Sequence, residues 1–320
     1  MNIRHFIATL IITPYLLLSN LSCSRGSPSS SDNTFALVKR EMVLFSSNRT
    51  GNQNVFMMSP DGSDVRQLTH YSEGDFWPAD VSPDGKLLLF YRFDEHTLIA
   101  GIFVMPIQGP EPTVPLDYGT YGGFFPDGKR FVYGSYVFND SSSYDVIRIC
   151  SLVNSSIKQI SPDGVPCYEP SVSHDGTWIS FISWRPVTST HQQLFVMNSD
   201  GSNERALTPA TAGRYARRGQ FTSDDRKIIF TFNDGGASYD LYLVSPLGGA
   251  LTPITRGESN ENYYPCPDSS GNMVFYRSGH YNQSEIYSIN LNGSNQRRLT
   301  QNQFLDDMPI VRVVEFLVVQ

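Results

Sequence analysis

The stretch Asp75-Phe76-Trp77-Pro78-Ala79-Asp80-Val81-Ser82-Pro83-Asp84-Gly85-Lys86, running on into Leu87-Leu88-Leu89-Phe90, decides the fold because the chain repeats it. Phe125-Pro126-Asp127-Gly128-Lys129 leads into Phe131-Val132-Tyr133, and Pro170-Ser171-Val172-Ser173-His174-Asp175-Gly176 leads into an apolar run from Trp178 to Ile182. Decayed copies stand at Phe221 to Asp225 before Ile228-Ile229-Phe230, and at Pro265 to Gly271 before Met273-Val274-Phe275. Each Asp-Gly marks a hairpin corner, since Gly accepts positive φ and Asp bonds nearby backbone N–H groups.

A second element alternates with the first. Val55-Phe56-Met57-Met58-Ser59-Pro60-Asp61-Gly62-Ser63 ends in Gln67-Leu68-Thr69. A copy at Leu194 to Asn203 ends in Ala206-Leu207-Thr208, and one at Ile286 to Asn295 ends in Arg298-Leu299-Thr300. Weaker versions lie at Ile102 to Gly109, Val146 to Ser161 and Leu241 to Thr255. Gly85 and Gly128 are 43 positions apart, and Gly128 and Gly176 are 48 apart. That period is one four-stranded propeller blade. The apolar runs then read as strands buried on both faces, sandwiched between neighbouring blades. No blade hides both faces alone, so the repeats must stack.

The expected fold is therefore all-β: a six-bladed β-propeller of four-stranded blades over residues 41–320. The first unit lacks an opening strand, because Met42-Val43-Leu44-Phe45 starts at the second strand position. Leu305 to Val311 imitates the opening of a blade, and the sequence stops at Gln320. The C-terminal strand is expected to join the N-terminal blade and close the ring, leaving no free edge.

Composition agrees. The 320 residues are 40% hydrophobic and 17% charged, enough to bury a core and unlike a disordered chain. Twenty-five Gly and 20 Pro suit many short strands joined by tight turns. The net charge of −7, with basic residues scattered instead of clustered, argues against a nucleic-acid partner.

The N-terminus reads as an address. Arg4 precedes an apolar run from Phe6 to Leu18, too short to span about 30 Å of hydrocarbon but right for a signal-peptide core. Asn20-Leu21-Ser22-Cys23 resembles the lipobox of bacterial lipoproteins, departing from it at Asn20, where Leu, Val or Ile is preferred. Residues 1–22 are thus expected to be a lipoprotein-type signal peptide. Residues 23–40 are expected to supply the lipidated Cys23 and a Ser-rich flexible tether, which anchors an exported protein to a membrane of the bacterial cell envelope. Beyond Cys23 an odd number of cysteines remains, Cys150, Cys167 and Cys266. Cys150 and Cys167 are close enough in sequence to bridge; buried free thiols on strands are the other reading.

The Ser-Pro-Asp-Gly-Lys turn at 82–86, the Phe195-Val196-Met197-Asn198-Ser199-Asp200-Gly201-Ser202-Asn203 element and the closing Leu-Thr pairs resemble the TolB-like propeller repeat. The resemblance spans Met42 to Val319. It implies a periplasmic setting and a protein or peptidoglycan-associated partner at the propeller mouth. TolB proper carries an α/β domain ahead of its propeller, and this sequence shows no counterpart, so a stand-alone propeller is expected.

No Gly-x-Ser-x-Gly, His-Glu-x-x-His or Gly-rich phosphate loop occurs. His70, His96, His174, His191 and His280 fall in turns and links, and the loops between second and third strands are expected at the outer parts of blades, away from any common metal. Asp61, Asp84, Asp127, Asp175 and Asp200 read as turn residues. No cofactor is implied. The residues before each repeat's Pro are expected to ring the channel mouth: Phe76, Trp77, Tyr121 beside Thr120, Tyr168, Glu169, Arg217, Arg218, Tyr263, Tyr264, and Asp307 beside Met308. Aromatics with a few charges can stack on a flat group and fix its orientation, which suits a peptide or a sugar. The expected function is a non-enzymatic envelope binding protein that engages a protein, peptide or peptidoglycan-linked partner. The alternative is a carbohydrate-active lyase or hydrolase using the same ring.

Overall fold

The computed structural model describes residues 35–94, 99–112, 115–138, 143–185, 191–236, 238–257, 261–280 and 283–319. The expected signal peptide, Cys23 and the tether through residue 34 lie outside the described residues, as does His96.

All regular structure among the described residues is strand. The first repeat comprises β1 (Phe35–Thr50), β2 (Asn52–Met58) and β3 (Arg66–Gln67); the second comprises β4 (Asp75–Val81), β5 (Leu87–Asp94) and β6 (Ile99–Pro106). The third runs β7 (Asp117–Phe124), β8 (Arg130–Phe138), β9 (Ser143–Ser151) and β10 (Ile157–Gln159). The fourth runs β11 (Cys167–Val172), β12 (Trp178–Ser183), β13 (Gln193–Asn198) and β14 (Arg205–Ala206). The fifth runs β15 (Tyr215–Phe221), β16 (Ile228–Asn233), β17 (Asp240–Val244) and β18 (Thr252–Pro253). The sixth runs β19 (Asn262–Pro267), β20 (Met273–Ser278), β21 (Glu285–Asn290) and β22 (Arg297–Arg298), and β23 (Asp306–Val319) follows.

The fourth, fifth and sixth repeats form separate four-stranded antiparallel sheets in chain order. The second and third merge into one seven-stranded sheet, a departure from the expected separation. Its cause is β7, which pairs with β6 at Tyr118 and Asp117 and then continues as the partner of β8. One uninterrupted strand thus serves as the last of one repeat and the first of the next.

The remaining sheet has the order β23-β1-β2-β3. Its β23 comes from the far end of the chain and pairs with β1 from Phe35↔Val319 to Ser47↔Asp306. That pairing explains why β1 starts at Phe35, inside the stretch assigned by sequence to the tether: a partner distant in sequence supplies the ladder. The first strands of the repeats also pack on one another in order: β4 on β7, β7 on β11, β11 on β15, β15 on β19, β19 on β23, and β23 on β4. Asp80, 5% exposed, sits at the last of these contacts, accepting from Phe124 N at 2.8 Å and from Arg312 Nε at 2.6 Å. One apolar cluster accordingly joins Phe45 and Phe56 to Phe76 and Phe90 on one side and to Phe275 and Ile286 on the other.

The repeated motifs have specific physical work. The Thr of each closing Leu-Thr accepts a hydrogen bond from a third-strand N–H: Val55 N to Thr69 Oγ1 at 2.8 Å, Leu194 N to Thr208 Oγ1 at 3.0 Å, Ile286 N to Thr300 Oγ1 at 2.9 Å. Leu241 N to Thr255 Oγ1 and Ile147 N to Ser161 Oγ, both 2.9 Å, repeat it where the sequence motif has faded. These N–H groups are buried, and an unpaired one costs roughly 1–3 kcal/mol. Asp84, Asp175 and Asp224 accept from the Ser or Thr two residues earlier, at 2.6 to 2.7 Å, fixing the corners as turn chemistry requires. Cys150, Cys167 and Cys266 are free and buried.

The turn glycines between third and fourth strands lock neighbouring repeats together. A Cβ on Gly293 would lie 2.6 Å from Ile254 O of the preceding repeat, and one on Gly201 would collide equally with Ile160 O. Gly62 meets Leu299 O at 2.6 Å in the same manner, although Leu299 belongs to the sixth repeat and Gly62 to the first. All three have positive φ. Gly62→Ala and Gly201→Ala should each lower the free energy of unfolding by about 2–4 kcal/mol in urea titrations. Gly164→Ala, at positive φ but with nothing within 4 Å of its Cβ, should lose only about 1 kcal/mol. Equal losses at all three positions would refute the close-packing account.

Candidate functional site

Each repeat's first strand carries a register shift at the same motif position: Pro78/Asp80 in β4, Thr120/Gly123 in β7, Tyr168/Ser171 in β11, Arg217/Gln220 in β15 and Tyr263/Cys266 in β19. Opposite β23 the shift falls between Leu44 and Ser46 of β1. At these bulges Tyr121, Glu169, Tyr264 and Met308 have φ between 50° and 54°, and Arg218 has φ 27°. Only in β4 is the equivalent residue a proline, Pro78, whose ring forbids positive φ. A non-Gly residue held there costs on the order of 1–3 kcal/mol, a strain that collects at functional sites.

The bulge has a direct consequence for side chains. In a regular strand consecutive residues point to opposite faces. Here Thr120 with Tyr121, Tyr168 with Glu169, and Asp307 with Met308 all line one cavity of about 560 Å³. Trp77, Arg217 and Tyr264 complete the contribution of the inner strands. Trp77 stacks on Tyr91 with ring centroids 5.4 Å apart, and Tyr91 in turn lies 5.3 Å from Tyr121.

Three of the residues expected at the rim lie elsewhere. Phe76 is fully buried and stacks on Tyr71 at 3.9 Å, within the apolar core. It precedes the bulge by two residues, in the position taken by Cys167, Ala216 and Asp306 in other repeats, all of them buried. Arg218 is 4% exposed and lies behind the wall, its guanidinium 5.4 Å from the Tyr121 ring centre and its Nη2 3.4 Å from Ala79 O. Tyr263 packs on Tyr239 at 4.9 Å and carries the Arg277 guanidinium at 5.0 Å.

The cavity also has walls that the sequence pattern does not single out. Phe93 and Ala100 come from the β5–β6 hairpin, Tyr136 and Asp145 from β8–β9, and Trp184 and Gln192 from the β12–β13 connection. These hairpin ends were expected at the outer parts of the blades; they reach over the inner strands instead. Strand periodicity says which face a residue takes but not how far a hairpin leans, so little in the sequence could have flagged them. His191, in the same connection, is buried, while His174 pairs with Asp225 at 3.0 Å and His70 with Glu111 at 3.4 Å on the surface. Among the described residues no group of three or more His, Cys, Asp or Glu is placed to hold a metal ion.

Charge at the cavity is mostly paired. Glu169, 2% exposed, accepts from Arg218 N at 2.6 Å and stands 3.8 Å from Arg217 Nη1. Asp307 stands 3.7 Å from Arg277 Nε and accepts from Met308 N at 2.8 Å. Burial lifts the Asp307 carboxyl to about 6 despite Arg277. Burial, and then the Glu169 charge, lift Asp145 to about 6 as well. Burial also pushes the Tyr91, Tyr121 and Tyr264 hydroxyls above their ordinary range, so they stay neutral.

A raised carboxyl pKa has a defined sign in stability. The folded protein holds the Asp145 proton more tightly than the unfolded chain does. The contribution is therefore complete below about pH 4 and is lost as pH rises through about 6. Between pH 4 and 7, wild-type stability should fall by roughly 1–2 kcal/mol more than that of Asp145→Asn, allowing for solvent at the cavity. Parallel stability curves for the two proteins in that window would refute the assignment.

The comparisons with known proteins fit this architecture. The family model described as the TolB beta propeller domain matches residues 119–310. A protein TolB homolog of Chlorobium luteolum is 28% identical over 261 residues, covering 81% of this chain and 57% of that protein. The chain thus spans little more than half the length of that curated relative. The crystal structure of TolB from Acinetobacter baumannii superposes with a TM-score of 0.70 at 17% identity, over 84% of this chain and 66% of that one. An oligogalacturonate lyase in complex with manganese gives a TM-score of 0.51 at 16% identity, over 80% of this chain and 73% of the lyase. At such identities both likenesses show the fold alone. The family match, by contrast, covers more than half of the sequence, and the chain belongs to the TolB β-propeller family.

Proposed function

We propose that this protein is a non-enzymatic binding protein of the bacterial cell envelope. It is exported behind a signal peptide at 1–22, anchored through a lipid on Cys23, and engages a protein, peptide or peptidoglycan-linked partner at the mouth of a propeller channel. The propeller has six blades, and β23 closes its ring by completing the first. Several observations support that closure. The inner strands contact one another in cyclic order, and one apolar cluster spans the first, second and sixth repeats. The Gly62–Leu299 contact repeats between the last and first units what Gly201–Ile160 does within the chain.

The observation that carries the functional reading is the recurrent bulge. Five of six inner strands hold a bulge residue at positive φ, and three of them send pairs of consecutive side chains into one aromatic and charged cavity at one end of the sheets. Part of this serves packing, since Met308 is buried in an apolar cluster that Trp77, Tyr121 and Tyr264 pack against; binding further calls for convergent rings and a few fixed charges. Membership of the TolB family supports a protein-binding role, and the lyase likeness adds only fold.

Two experiments test the reading. Affinity capture from native envelopes with the wild-type protein should retain a specific partner. Glu169→Gln with Arg217→Gln, which keeps an acceptor for Arg218 N, should weaken that capture tenfold or more, about 1.4 kcal/mol. A partner retained equally by the double variant would overturn the site. Separately, the full-length protein should incorporate labelled fatty acid and sediment with membranes, and Cys23→Ser should abolish both; a variant that stays membrane-bound and labelled would overturn the anchor.

A further inference from the structure

The cavity wall is rich in carboxylates and ring faces and carries one cationic side chain. Three carboxylates line it, Asp145, Glu169 and Asp307, against a single basic residue, Arg217. Arg217 faces Glu169, and Asp307 has Arg277 behind it. Asp145 has no salt bridge among the described residues. It sits opposite Tyr136 in the β8–β9 ladder, close enough to Tyr168 and Glu169 to influence both electrostatically.

Two further groups have the same polarity. Gln53 and Gln192 belong to the wall, each 6% exposed, and the side-chain carbonyl oxygen of each has no hydrogen-bond partner among the described residues. An orphaned buried acceptor costs roughly 1–3 kcal/mol, and a donor brought by a ligand recovers that. Ring faces supply the rest. Tyr136, Tyr168 and Trp184 stand on the Asp145 side, with Tyr168 edge-on to Trp184 at 6.3 Å. Aromatic faces carry partial negative charge and attract cations, most strongly where water is excluded.

Resting on the reading of this cavity as the binding site, we infer that its ligand presents a primary ammonium group, with Asp145 as counter-charge and the Tyr136, Tyr168 and Trp184 rings as its cage. A carboxylate or phosphate would meet three acidic groups and one already engaged arginine. A neutral sugar donates hydroxyls to Asp145 but leaves its charge uncompensated. An ammonium satisfies the carboxylate, offers three donors to acceptors at the wall, and gains from the rings. Two sources carry that chemistry: a lysine side chain and the free N-terminus of a peptide.

Trp77 and Trp184 line the cavity, so intrinsic fluorescence of the full-length protein reports its occupancy. Four probes separate the possibilities: acetyl-Gly-Lys-Gly-amide, Gly-Gly-Gly-amide with a free N-terminus, acetyl-Gly-norleucine-Gly-amide and acetyl-Gly-Glu-Gly-amide. At least one ammonium probe should bind tenfold or more tightly than the norleucine probe, and the stronger of the two names the source. Asp145→Asn should remove that preference, and Asp145→Glu should restore most of it, which a variant that merely fails to fold cannot do. Equal binding of the lysine and norleucine probes, preference for the glutamate probe, no binding of any probe, or a preference unchanged in Asp145→Asn would each overturn the inference. The failures are distinguishable. A partner lost in the Glu169 and Arg217 variant but bound equally after acetylation of its amines leaves the cavity as a binding site and removes only the ammonium.

Discussion

A β-sheet with apolar side chains on both faces has no stable existence alone, and the rest of this structure follows from that constraint. Phe45, Phe90, Phe181, Phe230 and Phe275, each from the second strand of its repeat, are buried only because a neighbouring sheet covers them. Every repeat therefore needs two neighbours. The first repeat lacks its own opening strand and finds β23 across nearly the whole chain, with hydrogen-bonded partners from Phe35↔Val319 onward. Without that ladder the β1 edge would be a row of unpaired donors and acceptors, the feature that soluble β proteins guard against. Asp80 ties the arrangement together at a single buried carboxylate, touching Phe124 on one side and Arg312 of β23 on the other.

Small side chains maintain the stacking. The threonine hydroxyls that accept from Val55, Leu194, Leu241 and Ile286 are cheap, short and buried, so a third-strand N–H is satisfied where the fourth strand is only two residues long. The turn glycines let one repeat's corner meet the next repeat's carbonyl at a separation that no Cβ tolerates. These two devices explain why Leu-Thr and Asp-Gly persist in sequence while the strands between them vary among apolar residues.

The same scaffold creates its candidate site by breaking its own rule. Strand alternation would bury one residue of each pair and expose the other; the bulge, with Tyr121, Glu169 and Met308 at positive φ, brings each of them to one cavity together with the preceding residue. Positive φ also occurs at the corner residues Asp64, Ser155, Asn203, Asp225 and Asn295, but at the bulges it coincides with the aromatic and charged groups of the cavity.

The sequence by itself determined the all-β class, the repeat units, the corner residues and the pairing of the last strand with the first, because periodicity and turn chemistry are local and recur. It also picked out Trp77, Tyr121, Tyr168, Glu169, Arg217, Tyr264 and Asp307, since they sit at a fixed offset from a repeated turn. Only the tertiary structure decided that Phe76 is core, that Arg218 lies behind Tyr121, and that β7 fuses two repeats. It alone revealed Tyr136, Asp145, Trp184 and Gln192 as walls, through hairpins that lean over the inner strands. The physical reason is the same in each case. A one-residue bulge changes the face of a side chain and a hairpin's tilt sets its reach; both are fixed by packing between sheets, a quantity no single repeat encodes.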